Sequence, residues 1–189
     1  MMKKPNPQGK GTDLLVNHWR PPVLSQHKPI DTIIKDYFQS LLVLSARLPF
    51  KPVIDQHYYL YFWQEELRLS LIEPQKLNDN NAQYLGHCQL REDLTWQIKF
   101  SDTPLSPSAL DFLEQFYNGF VTHLDTDAKL VDLLPFYQQG LGYHARVFAN
   151  GLSKSLAISM PKQQNAPVSA RQCLALLRDG QQQLLPLQN

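Results

Sequence analysis

A chain of 189 residues, 43% of them hydrophobic, is long enough for one sizeable core and short for two ordinary domains. A formal net charge of +1 gives no global pull toward nucleic acid, anionic membrane or acidic substrate. Cys88 and Cys173 form no Cys-x-x-Cys pair, so neither a disulfide framework nor a zinc module is implied, and no apolar run approaches the ~18 residues of a membrane helix.

Residues 1–29 are rich in Pro, Gly, Lys and Asn and carry Lys3, Lys4, Lys10, Arg20 and Lys28 against Asp13 alone. This stretch buries too little apolar surface to offset the entropy of ordering, so a flexible basic arm is expected ahead of a single, mildly acidic domain over 30–189. Gly9-Lys10-Gly11-Thr12 lacks the glycine spacing and the preceding buried strand of a phosphate loop. With no secretory apolar segment and no disulfide pattern, a cytoplasmic protein is expected.

Asp31 is placed to cap a helix over 31–48, in which Ile33, Tyr37, Leu41, Leu44 and Leu48 recur at steps of three or four. Ile34, Phe38 and Leu42 widen that stripe, which predicts a helix covered on more than one side and ended by Pro49 and Pro52. Four strands are predicted next, at 57–63, 67–73, 84–91 and 94–100. A turn at Gln64-Glu65 sets Leu60 opposite Leu69 and Tyr61 opposite Arg68, the register in which faces match. A loop of Arg91, Glu92 and Asp93 sets Leu90 opposite Leu94 and Cys88 opposite Trp96. The inner face then reads Leu60, Phe62, Leu67, Leu69, Leu71, Cys88, Leu90, Trp96, Ile98 and Phe100.

From Ser106-Pro107, a cap followed by Pro at the first helical position, the period becomes helical through Leu110, Leu113, Tyr117, Phe120 and Leu124. A short segment at 127–134 stops at Pro135. A turn at Gly140 and Gly142 precedes a stripe of Leu141, Ala145, Phe148, Leu152 and Leu156, and Ser169 with Gln172 forms a capping box for a last helix stopped by Gly180. The expected architecture is α+β. A four-stranded antiparallel meander (57–100) packs on the N-terminal helix, and a helical C-terminal half (106–180) follows.

Opposite the core face, period-two geometry collects His57, Tyr59, Tyr61, Trp63, Arg68, Ser70, His87, Gln89, Arg91, Thr95, Gln97 and Lys99. Arg68 opposite Tyr61 suits a cation–π contact. Helices on both faces would make Tyr59, Tyr61 and Trp63 core residues with hydrogen-bonded tips, and the many helical residues make this the first expectation. Left uncovered, Tyr59, Tyr61, Trp63, Arg68, His87 and Arg91 outline a ligand-binding surface for single-stranded nucleic acid or a protein partner.

In a meander His57 and His87 sit on strands one and three, ~10 Å apart, too far to share a metal ion, so neither metal nor cofactor is expected. Walker-type loops, dinucleotide fingerprints, His-Glu-x-x-His and Gly-x-Ser-x-Gly are all absent from the sequence. The leading functional expectation is therefore a non-catalytic binding or adaptor protein. Its rivals are a small enzyme whose site gathers dispersed His87, Arg68, Arg91 and Tyr59, and a structural subunit of a larger assembly.

Tyr58-Tyr59-Leu60-Tyr61, Leu69-Ser70-Leu71-Ile72 with Pro74, Tyr84-Leu85-Gly86, and Leu90 with Asp93 and Trp96 resemble a family of uncharacterised bacterial and animal proteins known only as a domain of unknown function. Asn6-Pro7-Gln8-Gly9-Lys10-Gly11 is similar to the openings of its bacterial members. Some forty residues carry the likeness. Relatives tend to hold a Trp soon after the proline, where this chain reads Gln75-Lys76-Leu77. The family has no established activity, so the resemblance implies the sheet and transfers no functional residue.

Overall fold

The computed structural model describes residues 27–134, 143–161, 169–179 and 184–185. In chain order these form helix α1 (Ile30–Ser45), strands β1 (His57–Trp63) and β2 (Glu66–Ser70), a helical turn (Pro74–Lys76), strands β3 (Gln83–Leu90) and β4 (Trp96–Phe100), helix α2 (Pro107–Leu124), a second helical turn (Leu130–Leu133), and helices α3 (Tyr143–Ser159) and α4 (Ala170–Asp179). The fold is α+β, with one antiparallel sheet, an N-terminal helix and a helical C-terminal half. The arm through residue 26, Pro135, Gly140, Gly142 and Gly180 lie outside the described residues.

Alternation in β1 and β2 puts Tyr58, Leu60, Phe62, Leu67 and Leu69 into the core. Their hairpin closes through Gln64 and Glu65, both at positive φ (52° and 60°), the geometry that matches strand twist. Leu60 pairs with Leu69 and Tyr61 with Arg68, as the sequence predicts. Leu71, expected inside, is 52% exposed because β2 ends at Ser70.

The strand order is β2-β1-β3-β4, which corrects the meander: β1, not β2, lies beside β3. Local periodicity cannot choose between these neighbours, but edge occupancy can. Arg47, just past α1, donates its N–H to the Leu67 carbonyl (2.8 Å) and accepts from the Leu69 N–H (3.2 Å), so the outer edge of β2 is taken. The second hairpin adds on the free side of β1. This engagement also ends α1 at Ser45, ahead of the prolines. At its other end α1 is capped by Pro29 without a side-chain bond, and Asp31, the expected cap, lies in the first turn with its carboxylate accepting from the Thr32 N–H (2.7 Å).

β3 holds a bulge. Leu60 pairs with Gly86 and Tyr61 with Tyr84, leaving Leu85 buried and without a partner on β1. A Cβ on Gly86 would stand 2.4 Å from the Lys99 carbonyl oxygen and 2.8 Å from Phe100 Cα, so only glycine fits without moving β4. The β3–β4 connection is longer than expected, with Leu90 opposite Trp96 and Cys88 opposite Ile98. Asp93 causes the shift. Its carboxylate accepts from the Thr95 N–H (3.0 Å) and hydroxyl (2.6 Å), while Leu94, at φ 62°, lays its side chain against Gly151 of α3.

Helix α1 packs on β4 and β2 and also on α3 and α4, which explains its broad apolar stripe. Phe38 meets Phe116 and Phe120 of α2 edge-on (centroids 5.6 and 5.1 Å), and Phe62 meets Phe112 at 5.5 Å. The unpaired edge of β4 is closed by α1 side chains. The Gln39 amide accepts from the Ile98 N–H (3.2 Å) and donates to its carbonyl (3.5 Å), and the Ser40 hydroxyl accepts from the Trp96 N–H (2.9 Å). Buried Asp36 takes Lys28 (2.6 Å) and Arg91 (2.9 Å), and Lys28 also pairs with Asp93. Ser106 accepts from the Ala109 N–H (3.3 Å) ahead of Pro107, and the capping box closes both ways, Gln172 N–H to the Ser169 hydroxyl (3.2 Å) and Ser169 N–H to the Gln172 side chain (3.1 Å).

Two outcomes test this frame. Gln39→Leu strands a buried N–H and a buried carbonyl and is expected to cost about 1–3 kcal/mol in denaturant unfolding, whereas a loss under about 0.5 kcal/mol would show that the edge needs no cap. Burial raises the Asp93 pKa, but Lys28 and Thr95 outweigh it and hold the carboxyl below its ordinary 3.8. Its folded-state pKa is depressed, so its stabilisation is present above pH 3.8 and is lost as pH falls through the folded value. Asp93→Asn is thus expected to lower stability at neutral pH, and the gap from the parent should close in strong acid. A gap independent of pH would contradict the ion pair.

Candidate functional site

Pairing across the sheet arranges the outer face in three rows. Ser70, Tyr59, His87 and Lys99 form one row through all four strands. His57, Gln89 and Gln97 form the next, and Arg68, Tyr61 and Tyr84 the third. Gln97, Lys99 and His57 are exposed, and Tyr59, Tyr84, His87 and Gln89 are half-buried. Among the described residues the helices' apolar contacts go to the inner face, and Tyr59 is half-buried instead of lying in that core.

Tyr61 belongs to the fold. It is 3% exposed, and its hydroxyl donates to the Ile72 carbonyl (2.7 Å) where the chain leaves β2 and crosses toward β3. Burial, then Tyr84, Tyr59 and Glu73, push its pKa up to about 12. Its ring supports Tyr84 at 5.7 Å, and Tyr84 stands 6.3 Å from Tyr59. Uninterrupted period-two alternation puts Tyr84 with Gly86 on the inner face; the bulge turns it outward. Gly86 inside a strand pattern was the signal for that bulge.

The basic residues go elsewhere. Arg68 does not stack on Tyr61. Its guanidinium lies 3.9 Å from the Trp63 ring centroid, with Nη2 at 3.1 Å from Glu66 and 3.0 Å from Gln64, so the diagonal ring wins because it adds a carboxylate and an amide. Arg91 lies just beyond β3 and is drawn to Asp36, whose buried charge requires a counter-ion. Thr95, expected on the outer face, is fully buried in the β3–β4 loop. Of the sequence-predicted site residues, Tyr59 and His87 are adjacent and accessible, Tyr61 lies beneath Tyr84, Trp63 pairs with Arg68, and Arg91 is structural.

The strand order also overturns the separation of His57 and His87. With β1 directly beside β3, their ring centroids are 6.0 Å apart with planes at 75°. Burial, then Lys99 and His57, hold the His87 pKa below its ordinary 6.5.

A cavity of about 320 Å³ lies away from this face, between α1 and α2, lined among others by Leu41, Phe116, Gly119, Tyr37 and His123. The Tyr37 hydroxyl and the His123 Nε2 both address the Leu133 carbonyl (2.8 and 3.2 Å), so these groups serve packing. Among the described residues no group of three or more His, Cys, Asp or Glu is placed to hold a metal ion, and no helix is long and apolar enough to cross a membrane. No family model, curated protein or solved structure matches the chain.

The electrostatics generate one prediction. His87 is expected to titrate below 6.5 in imidazole NMR, and Lys99→Gln to raise its midpoint. Because the unfolded chain binds this proton more tightly, His87 lowers stability as pH falls from 6.5 through the folded midpoint. A midpoint at or above 6.5 would contradict the described burial.

Proposed function

We propose that this chain is a non-catalytic binding protein whose outer sheet face docks another protein. The observation that carries this reading is the partly exposed row from Ser70 through Tyr59 and His87 to Lys99, together with the occupation of both sheet edges. Arg47 on β2 and Gln39 with Ser40 on β4 leave few backbone groups for strand addition, so recognition is face-on. Tyrosine and histidine present apolar rings with polar tips, which suits a protein interface. Exposed Leu71 and Ile72 follow β2 beside the Tyr59 row, and exposed Val53 and Ile54 precede β1 at the same end of the sheet. A protein partner is favoured over single-stranded nucleic acid by charge. Arg68 and Arg91 are held by Glu66 and Asp36, which leaves Lys99 as the cation of the three rows, and phosphate contacts supply most nucleic-acid affinity. A cytoplasmic location belongs to the same proposal and is supported by two buried, unpaired thiols, Cys88 and Cys173. The likeness to the uncharacterised family adds no activity.

The test compares proteins captured from lysate by the parent and by folded Tyr59→Ala, followed by titration of the purified partner. Loss of an interfacial Tyr is expected to cost about 1–2 kcal/mol or more, roughly tenfold in affinity. Labelled single-stranded RNA and DNA are expected not to bind at low salt. Equal capture by both proteins, or saturable RNA binding that Tyr59→Ala abolishes, would overturn the reading.

A further inference from the structure

We propose that His57 and His87 form a two-histidine site for a borderline divalent transition-metal ion of the Zn2+ class on the outer face of the sheet. The site exists because of the strand order. His57 pairs with Gln89 and Tyr59 with His87, so the two histidines are diagonal neighbours on adjacent strands, one strand spacing of ~4.8 Å apart in the pairing direction. Zn–N bonds are ~2.0–2.1 Å, which puts each ring centre ~3.2 Å from a shared ion and two rings at most ~6.4 Å apart. The observed 6.0 Å falls inside that limit, which is reached only with the two nitrogens on opposite sides of the ion; a tetrahedral angle of ~109° brings the centres to ~5.2 Å, a closure left to the exposed His57 side chain.

Two further observations support the site. Neither imidazole has a hydrogen-bond partner among the described residues, unlike His123, which is bonded to Leu133, so no ring nitrogen is already committed. Both rings border solvent, which leaves room for water in the remaining coordination positions; no third His, Cys, Asp or Glu completes the set among the described residues. Neutral imidazole is the required ligand form, so binding is expected to strengthen from acid toward neutral pH. Nitrogen donors without a carboxylate select Zn2+, Ni2+ or Cu2+ over Mg2+ and Ca2+. Lys99, paired with His87, is the charged group opposing a dication, and the rings of Tyr59 and Tyr84 border the pair. The site shares His87 with the proposed docking row but needs no partner.

Titration of the full chain with Zn2+ alone by calorimetry tests the site, the other histidines remaining in place. A saturable site is expected that His57→Ala and His87→Ala each weaken by at least roughly tenfold, since even loss of an outer-shell partner costs ~10–100-fold. Lys99→Gln should tighten it, His123→Ala should leave it unchanged, and affinity should fall in acid as protons compete for both rings. Imidazole NMR of the parent protein, which does not depend on variant folding, should show the His57 and His87 resonances shifting together. Absence of saturable Zn2+ binding in the millimolar range, parent-like binding by both alanine variants, or dependence on one histidine alone would overturn the proposal. Partner capture reads the binding function separately, so each can fail without the other.

Discussion

Helix α1 and the residues that leave it close both edges of the sheet, and the remaining architecture depends on that closure. A sheet edge carries unpaired N–H and carbonyl groups, each costly when buried without a partner. On β4 the Gln39 amide mimics a neighbouring strand toward Ile98, and Ser40 takes the Trp96 N–H. On β2 the backbone of Arg47 does the same for Leu67 and Leu69. One helix thus crosses the sheet from edge to edge and spends its apolar stripe on the inner face and on α3 and α4, while Tyr59, His87 and Gln89 on the opposite face stay half-buried.

Edge closure propagates into strand order and from there into chemistry. With β2 blocked by Arg47, β3 joins β1, and that contact places His87 beside Tyr59 and near His57. The same contact forces the bulge at Leu85, which brings Tyr84 out under Tyr59 and demands glycine at position 86 against the Lys99 carbonyl. A two-strand hairpin followed by a simple return would have separated the histidines and kept Tyr84 inside.

Charge is distributed by burial, not by face. Asp36 on α1 is 3% exposed at its side chain and collects Lys28 and Arg91, tying the chain entering α1 and the β3–β4 loop to one buried carboxylate. Arg68 is spent on Trp63 and Glu66. The surface that remains is aromatic and imidazole-rich with sparse net charge.

Local pattern alone determined the elements and most of their faces, with Leu71, Tyr84 and Thr95 the exceptions. Alternation in 57–63 and 67–70 sorted Leu60 and Leu69 inward and Tyr59 outward, Ser106-Pro107 and Ser169 with Gln172 marked two helix starts, and the double-width stripe over residues 33–44 announced a helix covered on several sides. Those signals act within a few residues, where backbone geometry is set by neighbouring side chains. Tertiary structure decided which strand lies beside which, where the ladder bulges, and where Arg68 and Arg91 direct their charge. These outcomes turn on competition between segments distant in sequence for one sheet edge or one buried carboxylate, and a period read along the chain carries no information about which distant competitor wins.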